Sequence, residues 1–184
     1  MENFLVLTAM GENRSGITNE ITQLITQCGC NIVDSRIALF GQEFTLIMLL
    51  SGNNNAISRV ESTLPLQAQQ HALLTVMKRT SKHKTREFHH EIDFYIQAKN
   101  AIGLTQKFTQ FLAQRNIDIK SLSAHTEENE NTLEDDQFIL QIRTQIPANC
   151  PLDPLLNDFS LLCQQLNAQG QMTLLDPSQG DLLC

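Results

Sequence analysis

Short apolar runs alternate with helix-spaced apolar stripes along the whole chain. Residues 4–10 form an apolar run of strand length, and turn-forming residues follow from Gly11 to Gly16. Gly29, further on, is of the type that commonly follows the last turn of a helix. Between these turns, apolar side chains recur at the spacing of one helix face, at Ile17, Ile21, Leu24, Ile25 and Cys28.

The rest of the first half continues this pattern. Two β-rich runs, residues 32–40 and 44–50, are separated by Gly41-Gln42, which indicates a hairpin. A second helical stripe is predicted to end at Pro65. Residues 72–77 then predict a fourth strand, so the order of elements is βαββαβ.

The second half repeats the first at an offset of 87 residues, which places Leu5 on Ile92 and Gly16 on Gly103. Strands are predicted near 92–96, 117–124, 138–146 and 172–175, with helices over 104–112 and 155–166. Asp153-Pro154 suits the N-cap and first position of the last helix.

This order predicts the α+β class, with two ferredoxin-like βαββαβ domains in tandem. Each has an antiparallel sheet with helices on one face. The other face is free to pair with a partner sheet, within the chain or in a homodimer. Because residues 80–87 include no apolar side chain, we expect domains over 1–80 and 88–184, joined by a linker over 81–87.

Composition and charge narrow the classes of function. Hydrophobic residues make up 41% and charged residues 18%, which suits a folded core. The net charge of -7 disfavours direct binding of nucleic acid. One basic stretch is a local exception that suits phosphates or an acidic partner, unless it is a solvated linker; it contains Lys78, Arg79, Lys82, Lys84 and Arg86.

Location and thiol chemistry follow from what the sequence lacks. It has no apolar run long enough to span a membrane and no basic N-terminal region typical of a signal peptide. We therefore expect a cytoplasmic protein without membrane contact. The five cysteines are odd in number, and we expect reduced thiols, with Cys28 and Cys30 buried rather than bound to metal.

The loop from Gly11 to Gly16 is the best candidate for a ligand site. It precedes a helix N-terminus, whose N–H groups and dipole favour an anion such as an amino-acid carboxylate. Asn13 offers a side-chain amide, and Gly16 permits close approach to the backbone. The alternative is a plain turn with Ser15 as N-cap. The equivalent loop of the second half retains Asn100 and Gly103.

The polar residues Asp34, Ser35 and Arg36 interrupt an otherwise apolar strand. They suit a partner interface or a ligand pocket, and the alternative is an exposed sheet face. The sequence contains no nucleophile elbow, no Walker loop and no metalloprotease motif, so we expect no enzyme, no metal and no cofactor.

The residues Gly11 to Ile17 resemble the Asp-Arg-Pro-Gly-Ile loop of the ACT domain family. They keep Arg14, Gly16 and Ile17 and depart at Asn13 and Ser15. The resemblance implies an amino-acid-binding regulatory module, and it adds Arg14 and Ile17 to the candidate site.

A closer resemblance covers nearly the whole chain and is strongest at residues 28–36 and 44–52. These segments are similar to the family of glycine cleavage repressors. The resemblance implies an accessory repressor of the glycine cleavage operon that contacts a DNA-binding activator, with glycine modulating the contact. Three alternatives stay open: an amino-acid sensor for another partner, a nucleic-acid binder using residues 78–86, and a small enzyme using Asp34, Arg36 and His71.

Overall fold

The chain forms two compact units, Met1–Lys84 (unit 1) and Thr85–Cys184 (unit 2). The computed structural model describes residues 2–81, 90–127, 136–147 and 150–175. Both units have the order βαββαβ, which confirms the predicted α+β fold of two ferredoxin-like repeats. Of the predicted linker, only Ser81 lies among the described residues, so its bounds stay a prediction.

Each unit contains one four-stranded antiparallel sheet. The elements of unit 1 are β1 (Asn3–Glu12), α1 (Ile17–Gln27), β2 (Asn31–Phe40), β3 (Glu43–Gly52), α2 (Asn54–Gln70) and β4 (Leu74–Thr80). Those of unit 2 are β5 (His90–Lys99), α3 (Leu104–Ala113), β6 (Asp118–Glu127), β7 (Gln137–Ile146), α4 (Leu152–Gln165) and β8 (Ala168–Leu175). In unit 1 the strands follow the order β2-β3-β1-β4, and in unit 2 the order β6-β7-β5-β8.

The register of the strands repeats between the units as closely as the order of elements does. The pairing of β2 with β3 shifts between Ile32 and Asp34, where β2 carries a bulge. The pairing of β6 with β7 shifts between Ile119 and Ser121, which are the same positions at the offset of 87. A bulge re-aims the side chains that follow it, so both outer strands present the same face pattern.

The core of unit 1 lies between one sheet face and the two helices. Alternate residues of β1, such as Leu5 and Leu7, are fully buried against helix residues such as Ile25 and Val60. Burying a side chain of this size stabilises the fold by roughly 1.5–3 kcal/mol. We call this the inner face of the sheet, and the face opposite the helices the outer face.

The core of unit 2 is built around aromatic rings on its inner face. Phe159 of α4 packs edge-on against Phe94 of β5, with ring centroids 5.0 Å apart and planes at 66°. Phe108 and Phe111 of α3 contact the same ring. The sheet, α3 and α4 therefore share a single cluster.

The end of α1 has the geometry that its sequence predicts. Gly29 follows the helix with φ 83°, the left-handed conformation that glycine adopts without steric cost. Its N–H donates to the Thr26 carbonyl, and the N–H of Cys30 donates to the Ile25 carbonyl. Asn116, at the equivalent position after α3, also has a positive φ, of 54°.

Several predicted boundaries were wrong. Helix α2 does not end at Pro65 but continues to Gln70. Proline removes the N–H that would donate to the Glu61 carbonyl, yet the buried stripe of Val60 and Leu64 continues to Ala68, which holds the last turn against the sheet. Strand β4 begins at Leu74 instead of 72, because Ala72 has a positive φ of 53° in the preceding turn.

In unit 2, α4 begins at Leu152, after Pro151 as N-cap, so Asp153-Pro154 lies inside the first turn. Proline is tolerated there because first-turn N–H groups have no partner in the helix. Strand β8 begins at Ala168, which pairs with Ala98, four residues before the predicted start. Gly170 obscured this strand in the sequence, since glycine is depleted in strands.

Candidate functional site

The candidate loop of unit 1 runs from the end of β1 to the start of α1. Gly16 is the N-cap of α1 and has φ 91°, and no side chain caps the helix. The interpretation of Ser15 as N-cap was therefore wrong, because the left-handed turn at Gly16 moves the helix start one residue further along. The first-turn N–H groups of α1 have no side-chain cap to compete with an anion.

The backbone of this loop is tied to the neighbouring hairpin. The Asn13 N–H donates to the Gln42 carbonyl at 3.0 Å, in the turn between β2 and β3. In unit 2 the Asn100 N–H donates to the Asp136 carbonyl, also at 3.0 Å. The two asparagines thus occupy equivalent places, and each anchors its loop through the backbone.

The side chain of Arg14, in the middle of the loop, forms an ion pair with the carboxylate of Glu20. Its guanidinium donates to both oxygens of Glu20 in the first turns of α1, at 2.8 and 2.6 Å. His71, which follows α2, places Nδ1 3.1 Å from Arg14 Nη2 and Nε2 3.4 Å from Glu20 Oε2. These three side chains, which we call the Arg14 cluster, join the loop to the end of α2.

The charges of the Arg14 cluster stabilise each other. Hydrogen bonds from Arg14 lower the pKa of the Glu20 carboxyl, because they favour its charged form. The same bonds raise the pKa of the Arg14 guanidinium. Arg14 and Glu20 are about two-fifths exposed, so solvent and small ligands have access to both groups.

The second loop keeps the backbone but not the charges. Gly103 is the N-cap of α3 with φ 92°, matching Gly16. Ala101 stands in place of Arg14, and Lys107 in place of Glu20. Ile102, at the place of Ser15, is fully exposed. An arginine-carboxylate pair is thus present in the first loop and lacking at the equivalent positions of the second.

The other candidate residues lie apart from these loops. Asp34 and Arg36 are both on the outer face of the exposed strand β2, with Arg36 Nη2 3.8 Å from Asp34 Oδ2. Ser35 lies on the opposite face. His71, the third residue of the enzyme alternative, contacts Arg14 and Glu20 instead.

The two described residues of the basic stretch, Lys78 and Arg79, lie on opposite faces of the sheet. Lys78 is on the outer face of β4, whereas Arg79 is on the inner face and is held by α2. The Arg79 guanidinium donates to Glu61 at 2.9 and 2.7 Å, and also to Asn54 and Ser58. Lys82, Lys84 and Arg86 lie outside the described residues.

A groove of about 390 Å³ lies between α3 and α4 of unit 2. Arg115 spans it, donating to Asp158 at 2.6 Å while its guanidinium lies 3.9 Å above the Phe111 ring. Because the Arg115 guanidinium already has an ionic partner and an aromatic partner, it is less available to bind a charged ligand in this groove.

Thiols and membrane segments can be described briefly. Cys28, Cys30 and Cys163 are buried free thiols, as predicted for the first two, and burial raises the pKa of Cys30 and Cys163. Within the described ranges, no three His, Cys, Asp or Glu side chains are placed to share a metal ion. No described helix has the length and hydropathy that crossing a membrane requires.

Sequence reasoning missed Glu20, and it named His71 only for the enzyme alternative, without placing it beside Arg14. Glu20 carried a signal, since an acidic residue in the first turns of a helix commonly faces the loop before it. The contact of His71 with Arg14 is not visible in the sequence, because the two residues lie 57 positions apart in the chain and meet only in the folded unit.

Comparison with known proteins gives concordant results. The ACT domain family matches residues 3–78. The glycine cleavage system transcriptional repressor of Escherichia coli (strain K12) is 39% identical over 98% of this chain and 94% of its own length, and the Shigella flexneri protein gives the same values.

Solved structures agree with this match. A crystal structure assigned to a glycine cleavage system transcriptional repressor has 46% identity and a TM-score of 0.74, over 96% of this chain and 99% of that one. A protein from Galdieria sulphuraria shares the fold, with a TM-score of 0.77 at 19% identity, over 96% of this chain and 100% of that one.

Proposed function

The chain belongs to the family of glycine cleavage system transcriptional repressors, and from that premise we propose that it is a non-enzymatic accessory repressor of a glycine cleavage operon. The observation that carries the proposal is the 39% identity over 98% of the chain, which includes both ACT-like units. In this role the protein would act in the cytoplasm, beside the operon.

We propose that the chain represses through a DNA-binding activator protein rather than by binding DNA itself. A net charge of -7 opposes phosphate contacts, which dominate affinity for DNA. Arg79, in the most basic stretch, is already paired with Glu61. An acidic chain is better suited to contact a basic protein surface.

We further propose that glycine modulates this contact by binding at the loop of Asn13, Arg14, Ser15, Gly16 and Ile17. The glycine carboxylate would take the place of the Glu20 carboxylate on Arg14 and face the uncapped N-terminus of α1. Release of Glu20 would also change its contact with His71 and thereby the end of α2. The loop of Asn100 and Gly103 has no arginine and would bind more weakly.

The decisive experiment measures binding of the activator to an operator fragment by gel shift. The purified chain is added, with glycine, L-alanine or neither. We expect the chain to bind the activator on the operator fragment or to displace it. Glycine should change the concentration of the chain that is required for this effect, and L-alanine should change it less.

The variants Arg14→Gln and Arg115→Gln, compared in this assay and by calorimetry with glycine, separate the proposed site from a general loss of positive charge. Arg14→Gln should abolish the effect of glycine and retain the activator contact, whereas Arg115→Gln should behave as wild type. If the chain alone binds the operator fragment in a salt-dependent way, the nucleic-acid alternative is correct instead. If the chain affects neither the activator nor the DNA, the proposed function is wrong.

A further inference from the structure

The outer sheet face of unit 1 is apolar and exposed. Leu74 and Val76 of β4 are 67% and 68% exposed, and Ile47 of β3 and Met10 of β1 are 47% and 41% exposed. The partly buried Val6 and Leu49 complete the patch. A contiguous apolar surface of this kind on a folded protein usually marks an interaction site.

Unit 2 is an internal control, because its sheet has the same register and its described residues form no such patch. Tyr95, at the place of Thr8, is the exposed apolar side chain among them on this face. Each of the six patch positions of unit 1 has a polar or charged counterpart in unit 2. The Asp93–Arg143 ion pair replaces Val6 and Leu49, and four glutamines replace the rest: Gln97 for Met10, Gln141 for Ile47, Gln169 for Leu74 and Gln171 for Val76. The apolar face is therefore a property of unit 1 and not a requirement of the fold.

One row of side chains crosses this face with opposite charges at its ends. The strand pairings place Asp34 beside Leu49, Leu49 beside Val6, and Val6 beside Lys78. The row, which we call the central row, thus carries a carboxylate on the edge strand β2, an apolar middle, and an ammonium on the opposite edge strand β4.

We propose that this face binds a second copy of the chain, with the two sheets stacked about a two-fold axis parallel to the strands. Rotation about that axis places β2 of one copy over β4 of the other. Asp34 then faces the partner's Lys78, and Lys78 faces the partner's Asp34, with the apolar middles in contact between them. An axis across the strands would instead place Asp34 over Asp34.

The dimensions suit such a dimer. Three strands about 33 Å long and one of about 23 Å, spaced about 4.8 Å apart, give a face of roughly 500 Å² in plan, and side-chain relief brings its accessible area toward the roughly 800 Å² per partner of stable complexes. Stacked sheets lie about 10 Å apart with apolar side chains interlocked. In this arrangement the neighbouring Arg36 lies over the partner's Val76, where its methylene stem covers apolar surface.

The test uses charge reversal in the full-length chain, with mass measured by sedimentation. Wild type should dimerise, and Asp34→Lys and Lys78→Glu should each weaken the dimer by about tenfold or more, because each places like charges together twice. An equimolar mixture of the two variants should dimerise again, since both contacts between unlike copies are then complementary. Lys107→Glu, which makes the same charge change on the exposed face of α3, should dimerise like wild type.

A second variant tests the apolar middle independently. Leu74→Gln with Val76→Gln introduces the residues that unit 2 carries at these positions, so the fold should tolerate them and the dimer should be lost. A wild-type chain that stays monomeric at several hundred micromolar overturns the proposal. So does a dimer that both single charge reversals leave intact, or a mixture that fails to restore it.

Discussion

The Arg14 guanidinium and the Glu20 carboxylate form a two-pronged ion pair across the start of α1, with distances of 2.8 and 2.6 Å. The guanidinium that would hold the carboxylate of a ligand is therefore already bound to a carboxylate of the protein itself. If glycine binds at this loop as proposed, its carboxylate has to compete with the Glu20 carboxylate for Arg14.

This competition predicts the behaviour of Glu20→Gln. The variant leaves Arg14 without its carboxylate, so we expect tighter binding of glycine than wild type shows, measured by calorimetry at pH 7. Gln23→Glu, on an exposed position of the same helix, is the control and should leave the affinity unchanged. Equal or weaker binding by Glu20→Gln would count against a role of Arg14 in ligand binding.

The same pair predicts a dependence of stability on pH. The pKa of Glu20 is lower in the folded chain than its ordinary value, so the pair stabilises the fold above that ordinary value and ceases to do so as the pH falls through the lowered pKa. We expect wild type to exceed Glu20→Gln slightly in urea midpoint at pH 7, and the difference to shrink and then vanish as the pH is lowered through the depressed pKa of Glu20. A difference that persists in acid would show that the glutamine affects packing and not charge.

The left-handed backbone at Gly16 and Gly103 predicts that any side chain at either position lowers the free energy of unfolding by a similar amount. The φ values are 91° and 92°, and a Cβ at either position would meet no atom within 4 Å, so the penalty is conformational only. Gly16→Ala and Gly103→Ala should each destabilise the fold by about 1–2 kcal/mol in urea unfolding. Asparagine, which tolerates this region better, should cost less at both sites. Equal costs for alanine and asparagine would point to a steric clash instead.

A different glycine is constrained by space. A Cβ on Gly170 would lie 2.7 Å from Phe159 Cζ and closer still to Cys163 Sγ. We expect Gly170→Ala to cost about 1–3 kcal/mol through overpacking, as measured by urea unfolding. Adding Cys163→Ala removes one of the clashing atoms, so the double variant should be more stable than the sum of the two single effects predicts. Strict additivity would show that the new methyl group avoids Cys163.

The fold was largely predictable from the sequence, because the apolar pattern fixes which side chains face the core. The stripe of Ile17 and Ile21 and the repeat that places Leu5 on Ile92 both reappear in the buried clusters. The end of α2 was predicted wrongly because of Pro65. A helix-breaking residue is visible in the sequence, whereas the packing that allows the helix to continue beyond it is not.

The candidate site was predictable only in part. The loop and its glycine followed from local turn chemistry, but the partner of Arg14 at His71 comes from an element far along the chain. The outer sheet face was harder still. Ile47 and Leu49 look like core residues in the sequence, and only the register shows that they share a face with Val6 and Val76.

The Asp93–Arg143 ion pair of unit 2 occupies the positions that Val6 and Leu49 occupy in unit 1, and exchanging the two kinds of pair is a further test. Both side chains are only about 15% exposed, and Arg143 Nε lies 2.9 Å from Asp93 Oδ1. Arg143→Leu alone leaves a shielded carboxylate without its partner, so we expect a loss of about 1–3 kcal/mol in urea unfolding. The double variant Asp93→Val with Arg143→Leu installs the pair that unit 1 carries, Val6 and Leu49, and should recover most of that loss. If the double variant stays as unstable as Arg143→Leu, the ion pair has a structural role that an apolar pair cannot fill. If it recovers, the two sheets accept either chemistry, and the difference between their outer faces reflects what each one binds.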